Sequence, residues 1–110
     1  MKIRWLGHSC FLIEGESGIR IITDPYEPGG FGGKGVALRQ QGADALLVSH
    51  EHSDHNYVRG VLGNPEVVRG SKRVREVSFQ CVEVFHDASR GRQRGSNRVF
   101  CFEVDSVKVC

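Results

Sequence analysis

The chain has 110 residues, of which 39% are hydrophobic and 25% are charged, and its formal net charge is +2. This length allows one domain but hardly two, and the composition excludes a wholly disordered chain. No apolar run approaches the roughly 18 residues of a membrane span, and none behind Lys2 and Arg4 forms a signal-peptide core. We therefore expect a single domain over residues 1–110, located in the cytoplasm and without a membrane partner.

Short strands are predicted for the first part of the chain. The β-rich runs at residues 2–6, 10–14 and 19–23 are separated by turns that contain glycine, which indicates an antiparallel meander. A loop rich in proline and glycine follows at residues 24–35, and residues 36–42 are compatible with one or two helical turns. The chain is therefore expected to open with a small sheet.

Further strands and a short helix are predicted in the rest of the chain. Residues 45–48 form an apolar run of strand length before a polar loop, and residues 56–62 favour a helix that ends at Gly63. The remaining β-like runs are residues 66–69, 73–79, 81–85, 99–104 and 107–109, the last two joined by a turn at Asp105-Ser106. This order predicts an α/β or α+β fold in which strands dominate.

The four cysteines predict free thiols. Cys10, Cys81, Cys101 and Cys110 form no C-x-x-C pair, and most of them lie inside apolar, alternating segments. Cysteines in that setting behave as buried hydrophobic residues, and this favours a reducing compartment. We expect neither a disulfide framework nor a zinc knuckle.

Three histidines and one or two carboxylates lie within seven residues, directly after the predicted buried strand. Because alternate residues of an extended backbone point to the same side, His50 and His52 can converge on one ion while Glu51 points away. If the chain bends at Asp54, then Asp54 and His55 can face a second position beside the first. Imidazole nitrogen and carboxylate oxygen suit zinc, manganese or iron rather than calcium. The pattern therefore predicts a site for one or two transition-metal ions.

The motif His50-x-His52-x-Asp54-His55 resembles the signature of the metallo-β-lactamase superfamily, whose fold is a four-layer αββα sandwich. Other segments extend the resemblance to a branch of predicted zinc-dependent hydrolases that includes ascorbate-phosphate lactonases. These segments are Trp5-Leu6-Gly7-His8-Ser9, Phe11-Leu12-Ile13-Glu14, Ile22-Thr23-Asp24-Pro25 and Phe85-His86-Asp87. The resemblance covers essentially all 110 residues. It implies that a metal-activated water hydrolyses an ester, lactone or phosphodiester bond of a small molecule.

The resemblance also implies roles for individual residues. The metal ligands would be His50, His52 and His86 for the first ion, and Asp54 and His55 for the second. Asp54 would also act in catalysis by holding the attacking water through a hydrogen bond. Asp24 would support the metal loop by hydrogen bonds instead of binding metal. Three residues are expected near the site, namely His8, Arg94 and Asn97.

In that superfamily the fold goes on to a Gly-Asp motif and a further histidine, and the chain ends before either. The resemblance therefore implies the strand-dominated N-terminal half of the sandwich, an incomplete domain with uncovered apolar strand faces. Self-association or a second chain could cover those faces. The alternative is a half-domain that binds metal without catalysis.

A nucleic-acid partner is the least favoured reading of the sequence. Two basic groups could contact phosphates, one formed by Arg90, Arg92, Arg94 and Arg98 and the other by Lys72, Arg73 and Arg75. No aromatic residues interleave with these side chains, and the net charge is small. A solvated loop explains them equally well.

Overall fold

The computed structural model describes residues 1–29 and 41–110, so most of the predicted helical turns at 36–42 and part of the loop at 24–35 lie outside the described residues. Strands dominate the described residues, as predicted. Their bounds are β1 (Lys2–Gly7), β2 (Cys10–Glu14), β3 (Arg20–Thr23), β4 (Ala45–Leu47), β5 (Glu66–Val68), β6 (Lys72–Val74), β7 (Val77–Phe85), β8 (Ser96–Val104) and β9 (Val107–Val109).

The first sheet has the strand order β1-β2-β3-β4-β5. Strands β1 to β3 form the predicted antiparallel meander, in which Trp5 pairs with Phe11 and Ile13 pairs with Ile21. Strands β4 and β5 continue the sheet in parallel. Every residue of β4 is buried, because β4 is an interior strand of the sheet, is covered on both faces and is apolar throughout.

The second sheet is antiparallel, with the order β6-β7-β8-β9. Its last hairpin turns at Asp105 and Ser106, as predicted, and both residues take positive φ angles of 51° and 63°. Positive φ at both central residues is the geometry that suits a two-residue hairpin. The Asp105 carboxylate also accepts hydrogen bonds from the Glu16 amide, so the turn is tied to the first sheet.

Two apolar clusters hold the sheets in place. One lies between the sheets and joins Ile21 and Leu47 of the first sheet to Phe79 and Phe102 of the second. The other covers the opposite face of the first sheet, where Leu12, Ile22 and Leu46 pack with Tyr26 and Val61. The first sheet is therefore packed on both faces near the strand ends from which the polar loop begins.

The inner face of the first sheet is uncovered at its β1 edge. Trp5 and Phe11 are paired neighbours on this face and are 65% and 38% exposed, and Ile3, paired with buried Ile13, is 56% exposed. The face as a whole is apolar, and its middle lies against the second sheet. The edge strip formed by Ile3, Trp5 and Phe11 has no such cover among the described residues.

Two local predictions are corrected by the structure. The predicted helix at 56–62 is only a 3-10 turn, Val58–Gly60, and no α-helix occurs in the described part of the chain. The break predicted between 73–79 and 81–85 falls earlier, because Arg75 takes a positive φ of 52° and turns β6 into β7. In residues 1–29 and 41–110 no helix is long and apolar enough to cross a membrane.

The prediction of four free thiols is wrong for one pair. The register of the β8–β9 hairpin sets Phe102 against Val109, which brings Cys101 opposite Cys110, and the two form a disulfide with Cα atoms 4.3 Å apart. Cys10 and Cys81 are free, and Cys10 is fully buried, as predicted. Burial, followed by the nearby Asp24 charge, raises the pKa of the Cys10 thiol to about 12.

Candidate metal centre

The polar loop after β4 is anchored by Asp24, which follows the neighbouring strand β3. Because β3 and β4 are parallel, their carboxyl ends meet at the same edge of the sheet. Oδ1 of Asp24 accepts a hydrogen bond from the Ser49 amide at 2.7 Å, and Oδ2 accepts one from the Ser49 hydroxyl at 2.6 Å. The loop therefore leaves β4 in a fixed direction, with His50 directly behind this anchor.

The Ser49 hydroxyl determines which nitrogen of His50 is free. Its oxygen lies 2.8 Å from Nδ1 of His50. A hydroxyl has one proton, and Ser49 donates that proton to Asp24, so the hydrogen bond to His50 must be donated by Nδ1–H. The Nε2 atom of His50 then carries a lone pair, which is the form that binds metal.

His50, His52 and His86 converge in one group. Nε2 of His50 and Nε2 of His86 lie 3.2 Å apart, and one nitrogen from each of the three rings lies within 4.8 Å of the others. His50 is buried, His86 is half-buried and His52 is exposed. The three residues predicted to hold the first ion are thus brought together, with one side open to solvent.

The charge state of His50 also suits metal binding. Burial lowers its pKa, and the neighbouring rings of His55, His86 and His52 lower it further, whereas Asp24 raises it by less. A lowered pKa keeps the imidazole neutral at neutral pH. A neutral ring is required of a metal ligand.

His8, Asp54 and His55 form a second group beside the first. Nε2 of His8 lies 2.9 Å from Oδ2 of Asp54, and Nε2 of His55 lies 3.5 Å from the same oxygen. The rings of His55 and His50 have centroids 4.1 Å apart, so the two groups adjoin. The sequence placed His8 only near the site, whereas the structure puts it in contact with Asp54.

Asp24 also contacts this second group. Its Oδ2 atom lies 3.0 Å from Nδ1 of His55. Ligand atoms of Asp24, His50 and His55 are close enough together to be a third possible metal group. The Asp24 oxygens already accept hydrogen bonds from Ser49, however, so the carboxylate is better suited to orienting the two rings than to binding an ion.

A short loop held by Asp87 positions His86. His86 follows β7, and its amide donates to the carbonyl oxygen of Gly95 at 3.0 Å. The Asp87 carboxylate accepts four backbone N–H groups of the loop, those of Ser89, Gly91, Gln93 and Arg94. Sequence reasoning missed Asp87, for which the one available signal is an aspartate two residues before a serine at the start of a glycine-containing loop.

The turn that presents His8 is also closely constrained. Gly7 and His8 have φ angles of 110° and 49°, and a Cβ atom on Gly7 would collide with the Tyr26 hydroxyl. That hydroxyl donates to the Leu6 carbonyl oxygen, and Nε1 of Trp5 donates to the His8 carbonyl oxygen, both at 2.9 Å. The turn is therefore fixed from both sides.

Other residues singled out in the sequence make different contacts. The exposed Glu51 carboxylate pairs with Arg69 at 2.7 Å, in accord with its predicted outward direction. Within residues 1–29 and 41–110, no hydrogen bond or ion pair joins the side chain of Arg94 or Asn97 to the histidines. Arg98 contributes its backbone, because its amide donates to the Ser49 carbonyl oxygen at 2.9 Å and ties β8 to the metal loop.

The basic groups are partly neutralised. Arg75 pairs with Asp44 at 3.2 Å and Lys72 pairs with Glu66. Arg98 lies 3.8 Å from Glu51. Nothing in these pairs indicates a continuous phosphate-binding surface.

A sandwich of two sheets with clustered histidines at the strand ends defines the class of metal-binding β-sandwich proteins. The family model for the β-lactamase superfamily domain matches residues 2–110. The chain therefore belongs to the β-lactamase superfamily, as its motifs suggested, and it corresponds to the strand-dominated N-terminal half of that fold.

Individual relatives agree with this assignment. A UPF0173 metal-dependent hydrolase from Korarchaeum cryptofilum is 32% identical over 99% of this chain and 46% of its own length. One from Pelotomaculum thermopropionicum is 36% identical over 99% of this chain and 44% of its own length. The chain spans about half the length of these relatives.

A solved structure shows the same fold. The crystal structure of a Zn-dependent hydrolase of the metallo-β-lactamase superfamily from Thermotoga maritima superposes with a TM-score of 0.71 at 37% identity. The match covers 98% of this chain and 46% of the other. The two sheets described above are therefore those of the superfamily fold.

Proposed function

We propose that the protein containing this chain is a metal-dependent hydrolase that cleaves an ester, lactone or phosphodiester bond of a small molecule. The observation that carries this proposal is the convergence of His50, His52 and His86 on one point, with ligand nitrogens within 4.8 Å of one another. The relatives named as metal-dependent hydrolases support the same activity.

The donor atoms fit a zinc ion best. Three imidazole nitrogens with an open side suit zinc, and imidazole also accepts iron, while the adjacent carboxylate makes manganese a further option. Ser49 already holds His50 as the tautomer whose Nε2 atom carries a lone pair, so this donor is ready to bind. The name of the Thermotoga relative points to zinc as well.

Each residue of the centre has a distinct task in the proposed reaction. A bound metal ion supplies a nucleophile by lowering the pKa of water to about 7, and it polarises the bond to be cleaved. Asp24 orients the ring of His55, and Ser49 orients that of His50. Asp54 accepts a hydrogen bond from the attacking water and so directs it at the electrophile.

The charge of Asp54 is consistent with this task. Partial burial raises its pKa, but hydrogen bonds from the His8 ring and from its own backbone amide, together with the nearby His55, outweigh that effect and lower it. The carboxylate is therefore ionised at neutral pH and can accept a hydrogen bond from water.

Metal content and hydrolysis measured together test this proposal. We would compare the protein that contains this chain with its His52→Ala variant and with Lys108→Ala, a control on β9 of the second sheet. Loss of metal and of hydrolysis in His52→Ala alone is expected. Equal metal content in all three proteins contradicts the proposal, and metal binding without turnover of any ester, lactone or phosphodiester favours the non-catalytic half-domain instead.

A further inference from the structure

The ring of His52 has no hydrogen bond within residues 1–29 and 41–110. The other two members of its group are held, since the Ser49 hydroxyl contacts the ring of His50 and the loop around Asp87 positions His86. His52 is exposed, and its ring lies beside those of His50 and His86, with centroids 4.6 Å and 5.2 Å away. The place of His52 in the group therefore depends on the backbone that carries it.

Glu51 and Asn56 fix that backbone. Nδ2 of Asn56 donates to the carbonyl oxygen of Glu51 at 3.2 Å, and this oxygen belongs to the peptide unit that leads into His52. The same nitrogen lies 3.3 Å from Oε2 of Glu51. An amide nitrogen has two protons, so it can donate to both oxygens at once. The Glu51 carboxylate therefore keeps the Asn56 amide turned toward the peptide of His52.

The Glu51 carboxylate is itself held from two directions. Its Oε1 atom accepts a hydrogen bond from Nε of Arg69 at 2.7 Å, and Arg69 directly follows β5 of the first sheet. Nη1 of Arg98, on β8 of the second sheet, lies 3.8 Å from the same oxygen. Hydrogen bonds between ionised groups are stronger than those between neutral ones. The carboxylate thus joins the loop after β4 to both sheets.

We propose that Glu51 is a positioning residue of the metal centre, which holds His52 in place from the side away from the other ligands. The inference rests on the proposed function because it concerns the same centre. The contacts between Glu51 and Asn56 close the segment that carries His52, Asp54 and His55, and so they limit the conformations of that segment. Ligands that are ordered before an ion arrives lose less conformational entropy when it binds.

The same contacts contribute little to the stability of the fold. The side chains of Glu51 and Arg69 are 50% and 42% exposed, and exposed ion pairs are weak in water. Residues that orient metal ligands, in contrast, typically change metal affinity by about 10- to 100-fold. The two roles are therefore separable. Loss of a positioning residue lowers the metal affinity, whereas loss of a structural contact lowers the melting temperature of the metal-free protein.

Two truncations and one control test the inference in the protein that contains this chain. Glu51→Ala removes the carboxylate, and Asn56→Ala removes a neutral group while leaving the negative charge of Glu51 in place. Glu66→Ala is the matched control, because Glu66 is an exposed carboxylate of β5 that pairs with Lys72. Competition with a chromogenic chelator would give the Zn²⁺ affinity, and thermal melts would give the stability of the metal-free protein. The visible spectrum of the Co²⁺-loaded protein would report the arrangement of the ligands.

Each truncation should lower the zinc affinity by about 10- to 100-fold and change the Co²⁺ spectrum, while the metal-free melting temperature stays close to that of the wild type. The double variant Glu51→Ala/Asn56→Ala should lose little more than either single variant, since the two residues act through one set of contacts. Glu66→Ala should bind zinc as the wild type does.

Wild-type zinc affinity in Glu51→Ala overturns the inference. A loss in Glu51→Ala that is absent from Asn56→Ala also overturns it, because the carboxylate would then only attract the cation by its charge. A loss that comes with a matching fall in the metal-free melting temperature assigns Glu51 a structural role and overturns it as well. In these cases the proposed function stands if His52→Ala loses zinc, whereas a wild-type protein that binds no zinc removes both.

Discussion

Nε2 of His50 and Nε2 of His86 lie 3.2 Å apart, although they come from the loop after β4 and from the end of β7. The contact joins the two sheets at one edge of the sandwich. Each ring is positioned by a different contact. The Ser49 hydroxyl holds His50, and the loop around Asp87 positions His86. The first metal site therefore depends on the packing of the whole chain and not on the H-x-H motif alone.

Ser49→Ala should weaken metal binding without removing a ligand. The hydroxyl links Asp24 to Nδ1 of His50, and its loss leaves the ring free to rotate and to change tautomer. Residues that orient ligands typically contribute 10- to 100-fold, so we expect about that loss of zinc affinity by calorimetry. Ser53→Ala, an exposed serine of the same loop, is the control. Equal affinity in both variants would show that the Ser49 contact has no role.

Asp87→Asn should destabilise the chain in a pH-dependent way. A hydrogen bond from the Arg94 amide, the largest effect, lowers the pKa of Asp87. Desolvation, the next largest, opposes it, and hydrogen bonds from the amides of Ser89, Gln93 and Gly91 lower the pKa further, so the net shift is downward. A carboxyl whose folded pKa is depressed stabilises the fold above its unfolded pKa of about 3.9, and this contribution is lost as the pH falls through the folded pKa.

The melting temperature of Asp87→Asn should therefore lie below that of the wild type at pH 7, and the difference should shrink below about pH 4. Thermal melts followed by circular dichroism at a series of pH values measure this. Glu83→Gln, an exposed carboxylate in the middle of β7, is the control. A difference independent of pH would contradict the account.

Gly7→Ala should be costly. The methyl group would collide with the Tyr26 hydroxyl, and alanine disfavours the φ of 110°. We expect a loss of about 1–3 kcal/mol in the free energy of unfolding, measured by urea denaturation. Gly7→Ala combined with Tyr26→Phe should recover only part of that loss, because the backbone strain stays. A neutral effect of Gly7→Ala would mean that the turn adapts easily.

Reduction of the Cys101–Cys110 disulfide should lower stability. The bond closes a loop with a sequence separation of 9, for which the chain-entropy account gives about 2–3 kcal/mol. Urea denaturation with and without dithiothreitol should show this difference. In a Cys101→Ser variant the reductant should have no effect. Identical curves for the wild type under both conditions would show that the disulfide contributes nothing to stability.

Local patterns predicted much of the fold. The strands Cys10–Glu14 and Val107–Val109 were predicted with their observed bounds, because alternation and flanking turns mark both ends. The turn between β6 and β7 could not be predicted, since its positive φ falls on Arg75, a residue without turn preference. The Cys101–Cys110 bond follows from strand register, which no single segment specifies.

The residues of the candidate metal centre could likewise be predicted only where they are close together in the sequence. His50, His52, Asp54 and His55 are adjacent in the sequence, so their spacing alone indicated a metal loop. The contact of His8 with Asp54 spans 46 residues and depends on the bulge after Trp5, so no local pattern pairs these two residues. Asp87 acts through backbone amides, and the residue pattern marks such contacts only weakly, by an aspartate two residues before a serine at the start of a glycine-containing loop.

The histidine rings themselves offer the most direct test of the metal centre. Long-range ¹H–¹⁵N correlation spectra report the tautomer and the metal ligation of each of the five histidines, and they would be recorded during a titration with Zn²⁺. We predict that His50 carries its proton on Nδ1 before zinc is added, and that the Nε2 signals of His50 and His86 and a ring nitrogen of His52 shift together with the first equivalent. Unchanged signals from these three rings at saturating zinc would contradict the account.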